Sequence, residues 1–185
     1  MFDVDRFVAR SRSAAREHSG PGAVRDVLAQ ALAEPTAIIE ALGVPARSQI
    51  QTLYSGPDVT VLNVVWGAGM SVPPHNHEMW AVIGVYSGRE DNIFWRRLPD
   101  RADGKLEAAG AEALSTGEVA TLGEGIIHSV LNPIGRLTGA LHVYGGDFFQ
   151  VQRSQWDAES LIEEPYDVEH TRQLFARANA ALEDA

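Results

Sequence analysis

The chain has 185 residues, 45% hydrophobic and 22% charged, which fits one globular domain with a real core. Fifteen basic against 25 acidic side chains give a net charge of −10, which argues against a nucleic-acid partner because phosphate binding needs a basic footprint. Cysteine is absent, excluding disulfides, thiolate nucleophiles and cysteine-ligated metal centres, and the single lysine, Lys105, is the only Schiff-base candidate.

No apolar run approaches the roughly 18 residues that a membrane helix needs. The start, MFDVDRFVARSRS, has early acids and no apolar stretch of a secretory leader. The chain is therefore read as a cytoplasmic protein without a membrane partner, and its cysteine-free composition is compatible with a reducing compartment.

Residues 1–47 read as a helical segment packed on the strand-rich region after it. Phe2, Phe7, Val8 and Ala14 recur near helical spacing, and Ser19-Gly20-Pro21-Gly22 breaks the pattern. A second helix starts near Pro21 with an apolar stripe of Val24, Val27, Leu28, Ala31 and Leu32. A third starts at Pro35, carries Ile38, Ile39 and Leu42, and closes at Gly43. Residues 48–153 read as strands, at 49–54, 59–66, 78–87, 91–98, 105–114, 118–122, 126–131, 138–145 and 147–152, punctuated by Gly, Asn, Asp and Pro turns. Many short strands without intervening helices point to a sandwich or barrel. Residues 154–185 form an acidic extension with a helix predicted over 168–180 and a fraying tail.

Six histidines occur: His18, His75, His77, His128, His142 and His170. His18 reads as a helix-end residue and His170 as exposed. His75 and His77 form an H-x-H pair entering a strand, where side chains two apart share a face, so both imidazoles can reach one point. Pro73-Pro74 fixes an extended approach to them. Neutral imidazole suits iron, nickel, copper or zinc. Two surface histidines at a strand edge are the plain alternative.

The surroundings carry more. Residues 69–77 read GMSVPPHNH, and residues 117–132 read GEVATLGEGIIHSVLN. These segments resemble the two sequence signatures of the cupin superfamily. In the first, Gly69, the H-x-H pair and Gly88 match, and Ala81 stands at the glutamate position. In the second, Gly117, Gly125, His128 and Asn132 match, and Gly123 replaces the proline. The resemblance implies a mainly β fold, a double-stranded β-helix barrel, with a metal between the sheets held by His75, His77 and His128. Glu78 is a poor substitute for the missing carboxylate, because its side chain should face away from those of the pair. A neutral three-histidine set leaves a divalent ion its full charge and open positions for an anionic substrate and dioxygen.

Among three-histidine cupins the chain is most similar to the cysteine dioxygenase group of thiol dioxygenases, over roughly residues 50–150. Trp66-Gly67, His75-Asn76-His77, Ser87-Gly88 and Ile127-His128-Ser129-Val130 carry this likeness, and Leu141-His142-Val143-Tyr144 is its most specific piece. That group ends its barrel with a serine-x-histidine-x-tyrosine pattern, to which His142 and Tyr144 fit while Ala140 replaces the serine. Residues 140, 142 and 144 would share one inward strand face. Tyr144 would offer a phenolic donor to substrate or oxygen and His142 would orient it, although a buried histidine–tyrosine pair in a barrel core explains the same residues. Trp66 and Trp80 read as pocket wall or core.

Three departures bear on the substrate. The cysteine that in some members crosslinks to the tyrosine falls about at Val82, so no thioether forms. Ala140 removes the serine. The arginine that clamps the substrate carboxylate should lie near Tyr54-Ser55-Gly56, where there is none. Arg89, Arg96, Arg97 and Arg153 are the barrel-region alternatives. Arg96 and Arg97 should point to opposite faces, one of them inward.

The sequence reading is thus a mononuclear non-haem iron dioxygenase-like cupin that oxidises a small thiol, of the cysteine or 3-mercaptopropionate type, to a sulfinate. Its partners are a small-molecule substrate and dioxygen. Iron(II) is the expected ion, with nickel, zinc, manganese and copper as alternatives. The rival readings are another metal-dependent cupin enzyme, either a carbon–carbon-cleaving dioxygenase or an isomerase, and a non-catalytic metal- or ligand-binding cupin. Nothing in the sequence fixes the oligomeric state.

Overall fold

The computed structural model describes residues 1–17, 20–99 and 104–183. His18, the Ser19 end of the first break, Asp100, Asp103 and the last two residues of the tail lie outside them. Three helices precede the sheets: α1 (Val4–Ala15), α2 (Pro21–Leu32) and α3 (Pro35–Leu42). Asp3 caps α1 by accepting from the Arg6 amide at 2.7 Å, and the rings of Phe2 and Phe7, 5.4 Å apart, staple the entering chain to the first turn. Pro21 and Pro35 each occupy a first turn, where a missing N–H costs nothing. Gly43, at φ +87°, ends α3 in a conformation that L side chains rarely adopt.

Eleven strands follow among the described residues: β1 (Gln49–Ser55), β2 (Thr60–Trp66), β3 (Ser71–Asn76), β4 (Ala81–Ser87), β5 (Arg89–Arg97), β6 (Leu106–Ser115), β7 (Val119–Leu122), β8 (Ile127–Leu131), β9 (Thr138–Tyr144), β10 (Ser154–Trp156) and β11 (Glu163–Pro165). Helix α4 (Val168–Glu183) ends the described chain, opened by Asp167, whose carboxylate accepts from the Glu169 and His170 amides. His170 is half-buried there rather than exposed.

One sheet has the order β1-β2-β9-β4-β7 and the other β11-β10-β3-β8-β5-β6, and every pairing is antiparallel. Strand β2 pairs with β9, β3 with β8, β4 with β7 and β5 with β6. These nested pairs alternate between the two sheets as the chain advances, which is the winding of a double-stranded β-helix. The fold is mainly β, a double-stranded β-helix barrel with four helices around it among the described residues.

Alternation along the strands divides the apolar residues into two layers. Leu62, Val64, Ala81, Ile83, Val85, Ala140 and Tyr144 point into the barrel. Val61, Val82, Tyr86, Leu141 and Val143 point outward and are covered by Phe7, Val24, Leu28 and Leu32 of the helices. Both faces of β2 and β9 are thus buried, which is why those strands read as nearly continuous apolar runs. Helix α2 lies so close on β4 that a Cβ at Gly84 would sit 2.5 Å from Leu32 Cδ1.

Two strand expectations are corrected. The H-x-H pair belongs to β3 and its end, not to a strand starting at 78: Glu78 has φ +54° and breaks the chain before β4. Strand β3 holds Pro73 and Pro74 because its ladder to β8 is irregular between Val72 and His75, where missing amide donors do no harm. The segment 147–152 turns instead of pairing, with the Gln150 amide donating to the Asp147 carbonyl and the Phe149 amide to the Asp147 carboxylate. The second sheet continues beyond residue 153: Gln155 of β10 pairs with His75 of β3, and β11 pairs with β10.

Candidate metal centre

Strands β3 and β8 run side by side with His75 opposite His128 in register, and His77 follows two residues on. Their ring centroids are 4.6 Å (His75–His128), 4.9 Å (His77–His128) and 5.1 Å (His75–His77) apart. One ligand nitrogen from each ring can be chosen so that all lie within 4.8 Å of one another. His77 Nε2 and His128 Nε2 are 3.2 Å apart, near the roughly 3 Å between two nitrogens that each bind one ion at about 2.1 Å. No carboxylate joins this group among the described residues.

Hydrogen bonds aim two of the rings. His75 Nδ1 lies 2.9 Å from the Pro73 carbonyl oxygen, so it carries the proton and donates, which leaves Nε2 as the lone pair. His128 Nδ1 lies 2.7 Å from Asn92 Oδ1 and is held in the same way. All three rings are buried. Burial disfavours the charged form and pushes His75 down to about 4, the Pro73 bond partly opposing it. Burial, followed by the neighbouring imidazoles, holds His77 and His128 well below the ordinary histidine value. The donor set is therefore neutral before any ion arrives, the state in which imidazole binds metal. The three residues could hold a metal ion.

The inward face of β9 adds a second group. Ala140, His142 and Tyr144 do share that face, with His142 Nδ1 and the Tyr144 hydroxyl 3.1 Å apart. The Tyr144 ring is 4.9 Å from the His77 ring and 4.3 Å from Phe148. Burial drives the phenol's pKa upward, so it stays protonated at neutral pH. Across the ladder Tyr144 faces Ala81, whereas Val82 points outward at the helices. The position that spacing assigns to a crosslinking cysteine is thus on the far side of the strand from the tyrosine.

Sequence reasoning missed Glu90 and Asn92. Both lie on β5, and Glu90 is 0% exposed. Glu90 Oε2 accepts from Trp66 Nε1 at 2.6 Å and lies 3.5 Å from His142 Nε2, while Oε1 accepts from Asn92 Nδ2 at 3.1 Å. Burial pushes the Glu90 carboxyl up, but His142, Trp66 and Asn92 together hold it below the usual carboxylate range. The charged run Arg89-Glu90-Asp91 was the available signal: in a strand, 90, 92 and 94 share one face. Trp66 is buried core that also anchors this carboxylate, and Trp80 packs with the outer layer.

Of the four arginines, only Arg153 approaches the histidines. Arg89 pairs with Asp91, Arg96 with Glu107 and Arg97 with Glu163, all on the outside, so neither Arg96 nor Arg97 looks inward. The β5–β6 ladder slips between Phe94 and Trp95, and both arginines beyond the slip are exposed. The Arg153 guanidinium is sandwiched between the rings of Phe148 (3.9 Å) and Tyr166 (4.0 Å), and its Nη1 donates to the Phe148 carbonyl at 2.6 Å. Its Nε is buried and has no partner among the described residues. Phe148 and Tyr166 in turn lie 6.0 Å from His77 and 6.1 Å from His75. Outside this stack open two grooves of about 890 and 460 Å³, both lined by Phe148, Arg153 and Tyr166 and neither by the three histidines.

No family model matches the chain. Solved structures resemble parts of it. One is a Bacillus halodurans protein, 18% identical with a TM-score of 0.48, covering 58% of this chain and 77% of its own. Another is an RmlC-like cupin family protein with a double-stranded β-helix fold from Methanocaldococcus jannaschii, 11% identical with a TM-score of 0.46, covering 58% and 88%. A third is an oxalate oxidase in complex with the substrate analogue glycolate, 17% identical with a TM-score of 0.42, covering 57% of this chain and about half (54%) of its own. The architecture of the present chain rests on its own strand pairing. Among the described residues no helix is long and apolar enough to cross a membrane.

Proposed function

We propose that this barrel is a metal-dependent thiol dioxygenase that converts a small mercapto-carboxylate to its sulfinate. In the net reaction one thiol and one dioxygen combine, both oxygen atoms end on sulfur, and no further reductant is consumed. Iron(II) held by His75, His77 and His128 would supply the electron-transfer chemistry that couples dioxygen to sulfur.

The side chains do the rest. The three imidazoles are buried and neutral, so an ion they hold would be shielded from bulk water. Tyr144, fixed by His142 and packed on Phe148, sets a hydroxyl beside His77 to orient substrate. The observation that carries the substrate class is Arg153: a guanidinium clamped between Phe148 and Tyr166, rings that lie 6.0 Å from His77 and 6.1 Å from His75, with a buried Nε that finds no acceptor among the described residues. A carboxylate would satisfy it with a charge-assisted bond. This replaces the arginine that is missing near Tyr54-Ser55-Gly56.

Anaerobic iron loading followed by oxygen uptake with cysteine and 3-mercaptopropionate, and mass analysis of the product, tests the reading. Uptake with stoichiometric sulfinate is expected. No uptake by fully loaded protein overturns it, and uptake with cleavage of a carbon–carbon bond would favour the other cupin chemistry.

A further inference from the structure

Glu90 is sealed in the barrel wall, one layer behind the imidazoles, and each of its oxygens serves a different arm. Through Oε1 it meets Asn92, whose Oδ1 meets His128 Nδ1. Its Oε2 lies 3.5 Å from His142 Nε2, a buried nitrogen with no hydrogen-bond partner among the described residues, and His142 Nδ1 meets the Tyr144 hydroxyl. One chain of polar side chains thus runs His128–Asn92–Glu90–His142–Tyr144, with Trp66 as a branch on Oε2.

The direction of every proton along this chain is set at its centre. A carboxylate only accepts, so Asn92 must turn its NH₂ to Glu90 and its carbonyl oxygen to His128. That oxygen also only accepts, so His128 carries its proton on Nδ1. Its Nε2, the atom 3.2 Å from His77 Nε2, is left with a lone pair. On the other arm the carboxylate oxygen calls for the proton of His142 on Nε2, which leaves Nδ1 to Tyr144. We infer that Glu90 is a positioning residue that fixes the tautomers of His128 and His142 at once, through one buried carboxylate. The inference rests on the reading of His75, His77 and His128 as metal ligands, and it explains how a barrel with Ala81 in place of a carboxylate still uses one.

The test is Glu90→Gln in the full chain. The amide replaces one acceptor oxygen by an NH₂ donor of the same shape, so one arm must reverse: either Asn92 flips and His128 moves to Nε2–H, or His142 moves to Nδ1–H. Nitrogen-15 NMR of histidine-labelled, metal-free protein reads both rings directly. The wild type is expected to show Nδ1–H on His128 and Nε2–H on His142, and Glu90→Gln to reverse at least one of them. Where His128 reverses, zinc affinity measured by calorimetry should fall roughly tenfold to a hundredfold. Asn92→Ala, which cuts only the His128 arm, should release His128 from Nδ1–H while His142 keeps its proton on Nε2, and it serves if Glu90→Gln does not fold. An Nε2–H tautomer on wild-type His128, or both tautomers unchanged in Glu90→Gln, overturns the inference. A wild type that binds no zinc overturns instead the metal reading on which it rests, and the tautomer measurement keeps the two failures apart.

Discussion

Replacing Arg153 by Gln puts the proposed substrate class at risk most directly. Among the described residues the guanidinium has one hydrogen bond, to the Phe148 carbonyl, two aromatic faces at 3.9 and 4.0 Å, and a buried Nε without an acceptor. A hydrogen bond to a charged group contributes about 1.5–3 kcal/mol. If a substrate carboxylate makes that bond, Arg153→Gln should lower kcat/KM for 3-mercaptopropionate by roughly 10- to 150-fold. The loss must be selective: 2-mercaptoethanol, a thiol without a carboxylate, should change by less than about threefold, a shift under 1 kcal/mol. Arg153→Lys keeps the charge but not the planar fork, so it should fall between the two. The assay is initial-rate oxygen uptake on variants of matched iron content. Folding is followed separately, because each ring contact contributes about 1 kcal/mol of its own. Equal losses for the carboxylate and neutral thiols, or no loss for either, would refute the assignment of Arg153 to the substrate.

Three further changes test other parts of the structure. Tyr144→Phe keeps the ring against Phe148 but leaves His142 Nδ1 without a partner; stability should drop by about 1–3 kcal/mol in urea unfolding and turnover on the order of 10²-fold, with iron content unchanged. Unaltered turnover would remove Tyr144 from the site's chemistry. Gly84→Ala drives a Cβ to 2.5 Å from Leu32 Cδ1 and 2.8 Å from Leu28 Cδ2, so α2 must shift, at a cost of about 1–3 kcal/mol; a denaturation midpoint like that of the wild type would contradict the close helix contact. Acid should weaken the metal-free protein. His75 is depressed to about 4 when folded against an ordinary 6.5, so the unfolded chain binds more protons between those values. That stabilisation is complete above about pH 6.5 and is lost as pH falls toward 4, with about 2 kcal/mol gone at pH 5 from His75 alone. His77 and His128 act in the same direction, and a flat urea-stability profile between pH 7 and 5 in the presence of chelator would count against buried neutral rings.

What could be read from the sequence was whatever local pattern determines. The three helices follow from apolar spacing and from Pro21, Pro35 and Gly43, whose backbone restrictions act on their own neighbours. The inward set 140, 142 and 144 follows from the two-residue repeat of a strand. Strand β3 escaped because Pro73-Pro74 argue against an inner strand, and only the irregular pairing with β8 makes room for them. Residues 147–152 show alternation suited to a strand, yet Phe148 is recruited by Tyr144 and His77 while the Asp147 carboxylate turns the backbone. Glu90 is hidden because a strand that begins at 91 leaves it in the turn. The position of Arg153 is set by rings at 148 and 166, the latter supplied from beyond β11, and no local pattern announces such a meeting.

The charge around the site bears on which thiol fits best. A divalent ion held by the three histidines, together with Arg153, would bring three positive charges, and Glu90 in the wall returns one negative; no carboxylate joins the histidines among the described residues. A mercapto-carboxylate bound through an ionised sulfur and an ionised carboxyl brings two more negatives and leaves the pocket neutral. Cysteine, whose ammonium group adds a positive charge, leaves an excess of one, and cysteamine, which also lacks the carboxyl, an excess of two. At about 5 Å and an effective dielectric near 20, one uncompensated charge costs roughly 3 kcal/mol, on the order of 10² in kcat/KM. The expected order of specificity is therefore 3-mercaptopropionate, then cysteine, then cysteamine, read from oxygen uptake at fixed iron loading and neutral pH. Because Arg153 contributes one of those charges, Arg153→Gln should compress the gap between 3-mercaptopropionate and cysteamine. Cysteamine turning over faster than 3-mercaptopropionate in the wild type would mean that the buried charges do not select the substrate.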